Sequence, residues 1–252
     1  NQANKDGATP VYIAAQLGKL TAIVTLAKHG ADINLADASG TAPVHVAACK
    51  NHTGVIEVLA EHGADLDLGN ASGETPLYIA ALKDHVDAIG ALAMHGADVD
   101  MARNDGATPL HAAASKNHVG AIITLANFGA DVNKARHSGA TPLHIAMQKR
   151  NLPAIDALVK EGADVNALHD GVSPLYVAAM NGDVRAVESL LALGADVNQR
   201  CGDGTPIYIA SRDGNVEVIR MLATHGADVE KKNKTGNSPI KVAAKFGHVA
   251  AI

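Results

Sequence analysis

The stretch that decides the fold is residues 106–133, GATPLHAAASKNHVGAIITLANFGADVN. Its Gly-Ala-Asp tripeptide recurs at intervals of 33 or 32 residues, starting at Gly30, Gly63, Gly96, Gly129, Gly162, Gly194 and Gly226. A fixed period of this length is typical of one supersecondary unit stacked on copies of itself. The repeat therefore predicts a solenoid, and it moves the search for function from a buried active site to an extended surface.

The first half of each copy predicts a short helix. Thr108 is a typical N-cap, and Pro109 suits the first helical position, where its missing N–H costs nothing. The pattern predicts a helix over 110–116 that ends at Asn117 in the left-handed conformation. Eight of the nine prolines share this position: Pro10, Pro43, Pro76, Pro109, Pro142, Pro174, Pro206 and Pro239.

The second half predicts another helix and a turn. The second helix is expected over 119–127, and Gly129 ends it. Its buried side is expected to carry Ile122, Ile123 and Leu125. Turn chemistry precedes each first helix, as in 104–106, where Gly106 supplies a positive φ.

The repeated segments resemble ankyrin repeats. The resemblance rests on Thr-Pro-Leu-Tyr at 75–78 and Thr-Pro-Leu-His at 108–111 and 141–144, each followed by Gly-Ala-Asp-Val. It covers the whole chain and implies an all-α solenoid of antiparallel helix pairs, with a β-hairpin finger projecting from each junction. It also implies a curved open array, whose concave groove of fingers and first helices binds other proteins.

We expect one ankyrin-repeat domain over residues 1–252, made of eight repeats of which the first and last are incomplete. The approximate repeat boundaries are 1–33, 34–66, 67–99, 100–132, 133–165, 166–197, 198–229 and 230–252. Because neither end carries a polar capping repeat, we expect the parent protein to continue at one or both ends.

Several positions depart from the pattern. Ala42 takes the N-cap position of repeat two, and Arg150 stands where Gly, Asn or Asp ends the other first helices. Repeats six and seven are each one residue short before Pro174 and Pro206. Their fingers are therefore expected to be shorter or differently angled.

Composition narrows the classes of function. The net charge of −5 argues against a general nucleic-acid binder, and no apolar run is long enough to cross a membrane. Cys49 and Cys201 lie in different repeats, too far apart to pair, and they suit a reducing compartment. We therefore expect a cytoplasmic or nuclear protein that neither binds nucleic acid nor inserts into a membrane.

The thirteen histidines fall mostly into columns one repeat apart. Packed helices lie about 8–10 Å apart, whereas zinc needs each nitrogen about 2.0–2.1 Å from the metal. We interpret the histidines as structural and expect no metal or cofactor. No nucleophile elbow, phosphate loop or zinc-protease motif occurs, so no enzyme is expected.

One column at the end of the first helices presents lysine in four consecutive repeats: Lys50, Lys83, Lys116 and Lys149. One hypothesis is that repeats two to five form a basic groove for an acidic, extended partner segment. The alternative is simple end-capping, because the helix dipole favours Lys at a C-terminus by about 0.3–1 kcal/mol.

Other candidate partner contacts lie on the fingers and beside the lysines. The finger candidates are Ala38, Ser39, Asn104, Asp105, His137 and His169. Leu82 and Met180 are candidate apolar anchors of the kind that interfaces bury. The alternative for these two residues is packing under a neighbouring finger.

The sequence favours a non-enzymatic scaffold for protein–protein interaction. A second interpretation is the regulatory or targeting arm of a larger enzyme or channel whose catalytic or membrane part lies outside this segment. A third, an array that is itself an enzyme, has no supporting motif.

Overall fold

The computed structural model describes residues 1–251, which form fifteen α-helices, one short 3-10 helix over Val249–Ala251 and no regular β-strand. The architecture is the predicted helical repeat solenoid, with neighbouring helices tightly packed. The chain divides into two compact units, Asn1–Ser138 and Gly139–Ile252.

Unit one contains four helix pairs. Its first helices are α1 (Pro10–Gln16), α3 (Pro43–Cys49), α5 (Pro76–Leu82) and α7 (Pro109–Lys116). Its second helices are α2 (Leu20–Lys28), α4 (Thr53–Glu61), α6 (Val86–Met94) and α8 (Val119–Asn127). Within this unit each first helix packs on its own second helix, α1, α3, α5 and α7 pack on one another in order, and so do the four second helices.

Unit two repeats this arrangement. Its first helices are α9 (Pro142–Lys149), α11 (Pro174–Asn181), α13 (Pro206–Asp213) and α15 (Pro239–Phe246). Its second helices are α10 (Leu152–Lys160), α12 (Val184–Ala192) and α14 (Val216–Thr224). Pro153 lies in the first turn of α10.

The predicted N-cap positions are confirmed, and Thr108 precedes α7 with an extended backbone. The Thr9 and Thr75 hydroxyls each accept a backbone N–H from the third residue of their helix. Ala42 has the predicted cap position but no side-chain acceptor. There His45 Nδ1 accepts the Ala42 N–H at 3.1 Å, a bond that His111 and His144 also make to Thr108 and Thr141.

The burial of α8 differs from the prediction at one residue. Ile122 and Leu125 are fully buried, whereas Ile123 is 40 % exposed, so its predicted burial is wrong. With 3.6 residues per turn, a helix that buries Ala121, Ile122 and Leu125 turns Ile123 to the opposite side.

Left-handed residues end the first helices and also link repeats. Asn117 has the predicted left-handed backbone, with φ of 62°, and Arg150 has φ of 57°. Asn51 and Asp84 share this conformation. Their Oδ1 atoms accept the N–H groups of Ala88 at 3.0 Å and Ala121 at 2.8 Å in the next repeat. Each thereby caps a second helix whose own N-cap residue makes no side-chain cap bond.

The fingers are mostly tight turns rather than the expected β-hairpins. In 70–74, one backbone bond runs from the Asn70 N–H to the Glu74 carbonyl at 3.0 Å. The Asn70 side-chain oxygen accepts the Ser72 and Glu74 N–H groups instead of a second strand partner. Residues 37–41 and 233–237 close in the same way.

The two shorter fingers do pair as single β-bridges. His169 and Val172 exchange both backbone hydrogen bonds at 3.0 Å, and so do Cys201 and Gly204, at 2.8 and 2.9 Å. Two residues separate the partners in each case, so the deletion brings the backbone groups opposite each other. The predicted shortening of these fingers is confirmed.

Two further findings concern the chain as described. Both cysteines are free thiols, and Cys201 is buried. Within residues 1–251, none of the helices has the length and apolar character needed to cross a membrane.

Candidate partner-binding surface

Three lysines of unit one occupy equivalent positions on adjacent first helices. Lys50 and Lys83 are the residues that follow α3 and α5, and Lys116 is the last residue of α7. All three side chains are exposed. None of them forms an ion pair with any residue of the described chain. We call Lys50, Lys83 and Lys116 the lysine column.

The fourth predicted lysine belongs to unit two. Lys149 is the last residue of α9, it is exposed, and the left-handed Arg150 follows it. The Arg150 guanidinium donates to the Asn181 carbonyl at 3.2 Å, so it is held against the next repeat of that unit.

The fingers of unit one form a hydrogen-bonded row. The Ser39 carbonyl accepts the Ala71 N–H at 3.1 Å, and the Asp105 carbonyl accepts the His137 N–H at 3.1 Å. Gly106, with φ of 83°, permits this approach, because a Cβ there would lie 2.6 Å from the His137 nitrogen. These hydrogen bonds hold the fingers in place. Of the residues predicted on the fingers, Ala38, Ser39, Asn104 and His137 are exposed.

Arg103 binds one carboxylate of its own finger and one of the preceding finger. Its Nε and Nη2 each donate to Asp105 at 2.8 Å, and its Nη1 lies 3.5 Å from Glu74. The guanidinium also lies 5.4 Å from the centroid of the Tyr78 ring. This pairing holds the pKa of the Asp105 carboxyl well below its usual range. The predicted site residue Asp105 is thus already bound within the protein.

The predicted apolar anchors differ in exposure. Leu82 is half-buried against the cluster of Tyr78, Ala107 and Ala112. Met180, in unit two, is 40 % exposed at the end of α11.

His169, also in unit two, is partly buried at the β-bridge. Its Nε2 lies 3.4 Å from Asp170, and its ring packs edge-on against His144 at 5.4 Å between centroids. Its main contacts are therefore internal ones.

A ladder of hairpin Asn and Asp side chains was missed by sequence reasoning. The Asn34 Oδ1 accepts the Asp65 N–H at 2.9 Å, and the Asp67 Oδ1 accepts the Asp98 N–H at 2.8 Å. Asp100 accepts the Asp131 N–H in the same way. Burial and the neighbouring Asp98 and Asp65 charges raise the pKa of Asp67. The recurrence of Asn or Asp two residues after six of the seven Gly-Ala-Asp tripeptides was the available signal.

The histidine columns have structural contacts. His45 Nε2 donates to the Glu74 carbonyl of the next repeat at 3.1 Å, and burial lowers its pKa. His118 donates back to the Leu82 carbonyl at 3.2 Å. Histidines that end second helices, such as His62, donate to their own helix. Among residues 1–251, no three His, Cys, Asp or Glu side chains converge to hold a metal ion.

An apolar groove of about 970 Å³ lies against α1 and α2, lined by Ile13, Ala22 and Leu26 among others. In the next repeat the equivalent Val46, Val55 and Leu59 are covered by the helices of repeat one. The groove is therefore a repeat-stacking face, and we assign no ligand to it.

The helix pairs, the Thr-Pro caps and the linked fingers define a helical repeat protein of the kind that binds through an extended surface. A family model described as ankyrin repeats in three copies matches residues 1–70, 63–136, 95–169, 124–201 and 175–252. The chain belongs to the ankyrin-repeat family, whose members generally act as protein–protein interaction modules. No curated protein shows significant sequence similarity to the chain.

Proposed function

We propose that the chain is a non-catalytic protein-binding module whose lysine column and fingers bind an acidic, extended segment of a partner protein. The observation that carries the proposal is the lysine column, three exposed ammonium groups in register on adjacent helices without an internal counter-ion. Lys149 is included as the equivalent lysine of unit two. The free thiols of Cys49 and Cys201 support a cytoplasmic or nuclear location.

The carboxylates of the fingers keep their charge but have intramolecular partners of their own. Asp105 and Glu74 are engaged by Arg103, and Glu74 also accepts from the Asn70 amide at 3.0 Å. Asp37 accepts the Ser39 and Thr41 N–H groups within its own finger. These carboxylates are committed to intramolecular bonds, whereas the lysines are free to pair with a partner.

The finger row supports binding in a second way. Successive fingers are joined by backbone hydrogen bonds, so the surface is ordered before a partner arrives. A preformed surface loses less conformational entropy on association than one that must be ordered.

The direct test is charge reversal of Lys50, Lys83, Lys116 and Lys149 to Glu. The control reverses four exposed lysines elsewhere, Lys5, Lys28, Lys160 and Lys232, and so changes the net charge equally. Binding of a fluorescein-labelled glutamate-rich peptide is measured by anisotropy, with thermal unfolding measured in parallel. We expect the column variant to lose binding and the control variant to retain most of it.

The end-capping alternative has a different outcome. If the lysines only interact with the helix dipoles, each reversal lowers stability by about 0.3–1 kcal/mol and leaves peptide affinity unchanged relative to the control variant. That result would contradict the proposed function.

A further inference from the structure

The spacing of the lysine column restricts the conformation of its partner. Helices α3, α5 and α7 pack side by side, and packed helices lie about 8–10 Å apart. Because the three lysines occupy equivalent positions, the column repeats with about the same step. A partner that pairs with all three lysines must present acidic groups on one face at that interval.

A polyproline II segment meets this requirement. It has three residues per turn and rises about 3.1 Å per residue, so every third side chain returns to one face after about 9 Å. A β-strand does not, because its side chains alternate between faces and same-face residues recur after about 6.6 or 13 Å.

Groups on the fingers favour the same conformation. Polyproline II has no internal hydrogen bonds, so its backbone carbonyls remain free to accept from polar side chains. The fingers expose such side chains at Asn104 and His137. The Ser39 hydroxyl is not one of them, because it donates to the Asp37 carboxylate at 2.6 Å, and the Asn104 amide has one hydrogen left beside its 3.4 Å bond to the Ala71 carbonyl. A helical partner has already used its backbone groups internally and offers nothing to these donors.

Resting on the proposed function above, we infer that unit one selects a polyproline II segment with an acidic residue at every third position. Three acidic residues, each three positions after the last, then pair with Lys50, Lys83 and Lys116. Lysine side chains are flexible, so the register contributes selectivity among acidic segments rather than an absolute requirement.

The test compares two fluorescein-labelled peptides of identical composition against the full chain. The matched peptide is EPAEPAEPA, and its isomer EEEPAPAPA keeps the charge and the prolines but clusters the acids. We expect the matched peptide to bind about fivefold more tightly, since exposed ion pairs are individually weak and only their number in register differs.

A mutant cycle tests the register itself. Lys83→Gln should weaken the matched peptide about threefold, as expected for one lost exposed pair. Lys83→Gln should not change the affinity for the same peptide when its central glutamate is replaced by glutamine. Lys28→Gln, at an exposed lysine outside the column, is the matched control and should affect neither peptide.

The outcomes separate the two proposals. Equal, column-dependent binding of both peptides would overturn the spacing inference and leave the proposed function standing. Tighter binding of an alanine-based helical peptide with glutamates seven residues apart would also overturn it. If no acidic peptide binds in a column-dependent way, the proposed function itself fails.

Discussion

At the scale of single residues, one hairpin position decides how well neighbouring repeats are joined. Asn198 uses both ends of its amide, because Oδ1 accepts the Asp228 N–H at 2.8 Å and Nδ2 donates to the Gly226 carbonyl at 3.0 Å. Asp67 accepts the equivalent N–H, that of Asp98, but its carboxylate cannot donate to a carbonyl. It also adds a third negative charge beside those of Asp65 and Asp98. An aspartate at this position therefore joins repeats less well than an asparagine.

We predict that Asp67→Asn stabilises the protein by about 1 kcal/mol, the usual net value of one added hydrogen bond. The amide should donate to the Gly96 carbonyl and remove the repulsion. Because the pKa of Asp67 is raised in the folded state, its ionised form destabilises the fold at neutral pH. This cost decreases as the pH falls through the folded pKa and is gone below the unfolded pKa of about 3.9. Urea unfolding at pH 7 and pH 3 measures both effects, and the gain should be smaller at pH 3.

The reverse change provides the control. Asn34→Asp should remove the amide bond from Asn34 to the Gly63 carbonyl and lower stability by a similar amount. A stabilising Asn34→Asp, or a destabilising Asp67→Asn, would contradict this account of the ladder.

A second residue-scale prediction concerns pH. His144 Nδ1 accepts the Thr141 N–H at 3.3 Å, and its Nε2 donates to the Ala167 carbonyl at 3.1 Å. Burial, helped by the nearby His169, lowers the pKa of His144, against the opposing effects of its Ala167 bond and of Asp164 and Asp170. Its contribution to stability is therefore present above the unfolded pKa of about 6.5 and is lost as the pH falls through the folded value.

His144→Tyr should make stability fall less steeply between pH 7.5 and pH 5. Tyrosine fits this position, since Tyr78 and Tyr176 occupy it in other repeats. Chemical denaturation across this range measures the slope. The reciprocal variant Tyr176→His should steepen it, and an unchanged slope in both variants would show that this position does not control acid sensitivity.

At the scale of the element, two second helices of unit one, α6 and α8, are capped by residues of the preceding repeat. The Asp84 Oδ1 accepts the Ala121 N–H in the first turn of α8 at 2.8 Å, from a backbone with φ of 58°. In α12 the preceding left-handed residue is Arg150, which has no acceptor, and Asp183 caps its own helix instead. In α12 the local cap thus takes the place of the missing cap, whereas α4 and α14, preceded by Gly18 and Gly182, have no side-chain bond from their own N-cap residues.

We predict an order of stability for variants at Asp84. Asp84→Asn should be nearly neutral, because Asn51 performs the same role with the same backbone. Asp84→Gly should lose up to about 1 kcal/mol with the cap. Asp84→Ala should lose about 2 kcal/mol, because alanine also strains the left-handed backbone.

The measurement is urea unfolding of the three variants at neutral pH. An alanine variant more stable than the glycine variant would show that backbone strain at this position is unimportant. A glycine variant as stable as the wild type would show that the cap on α8 contributes nothing.

The elements were predictable from sequence where the signal is local. Thr-Pro marks the start of the first helices, and Gly follows the end of the second helices. These signals fix the boundaries within a few residues, so α8 was located correctly over Val119–Asn127. The exposure of Ile123 was not predictable, because the apolar run Ala121-Ile122-Ile123 does not reveal which side of a nine-residue helix faces its neighbours. The finger geometry and the Asn/Asp ladder join residues about thirty positions apart, so neither follows from local chemistry.

The site was predictable only in part. The sequence located the lysine column and the fingers, because both recur with the repeat. It did not show that Arg103 engages Asp105 and Glu74, or that Leu82 is half-buried. These contacts depend on side-chain placement between repeats, which a single column of residues does not determine.

At the scale of the whole molecule, a local group of positive charges belongs to a chain of net negative charge. The net charge is −5, yet the lysine column presents three cations together, and the carboxylates of the ladder, such as Asp65, Asp98 and Asp131, lie at the hairpin bases. An acidic partner is therefore attracted locally and repelled by the molecule as a whole. The ionic strength determines whether local attraction or overall repulsion dominates.

We predict an asymmetric salt dependence for binding of the peptide EPAEPAEPA. Affinity should fall about tenfold between 0.1 and 1 M salt, as the Debye length shortens from about 10 to 3 Å and the lysines are screened. Below 0.1 M it should rise little, because a Debye length of about 30 Å at 0.01 M brings the ladder carboxylates into range. Anisotropy titrations at 0.01, 0.1 and 1 M salt measure this curve.

The double variant Asp65→Asn/Asp98→Asn isolates the cause. Both asparagines retain the oxygens that accept the Asp67 and Asp100 N–H groups, so the fold is kept while two charges are removed. Affinity for the peptide should then continue to rise below 0.1 M salt. If the wild-type protein already shows that continued rise, the negative charge of the molecule does not reach the lysine column, and only local pairing governs the choice of partner.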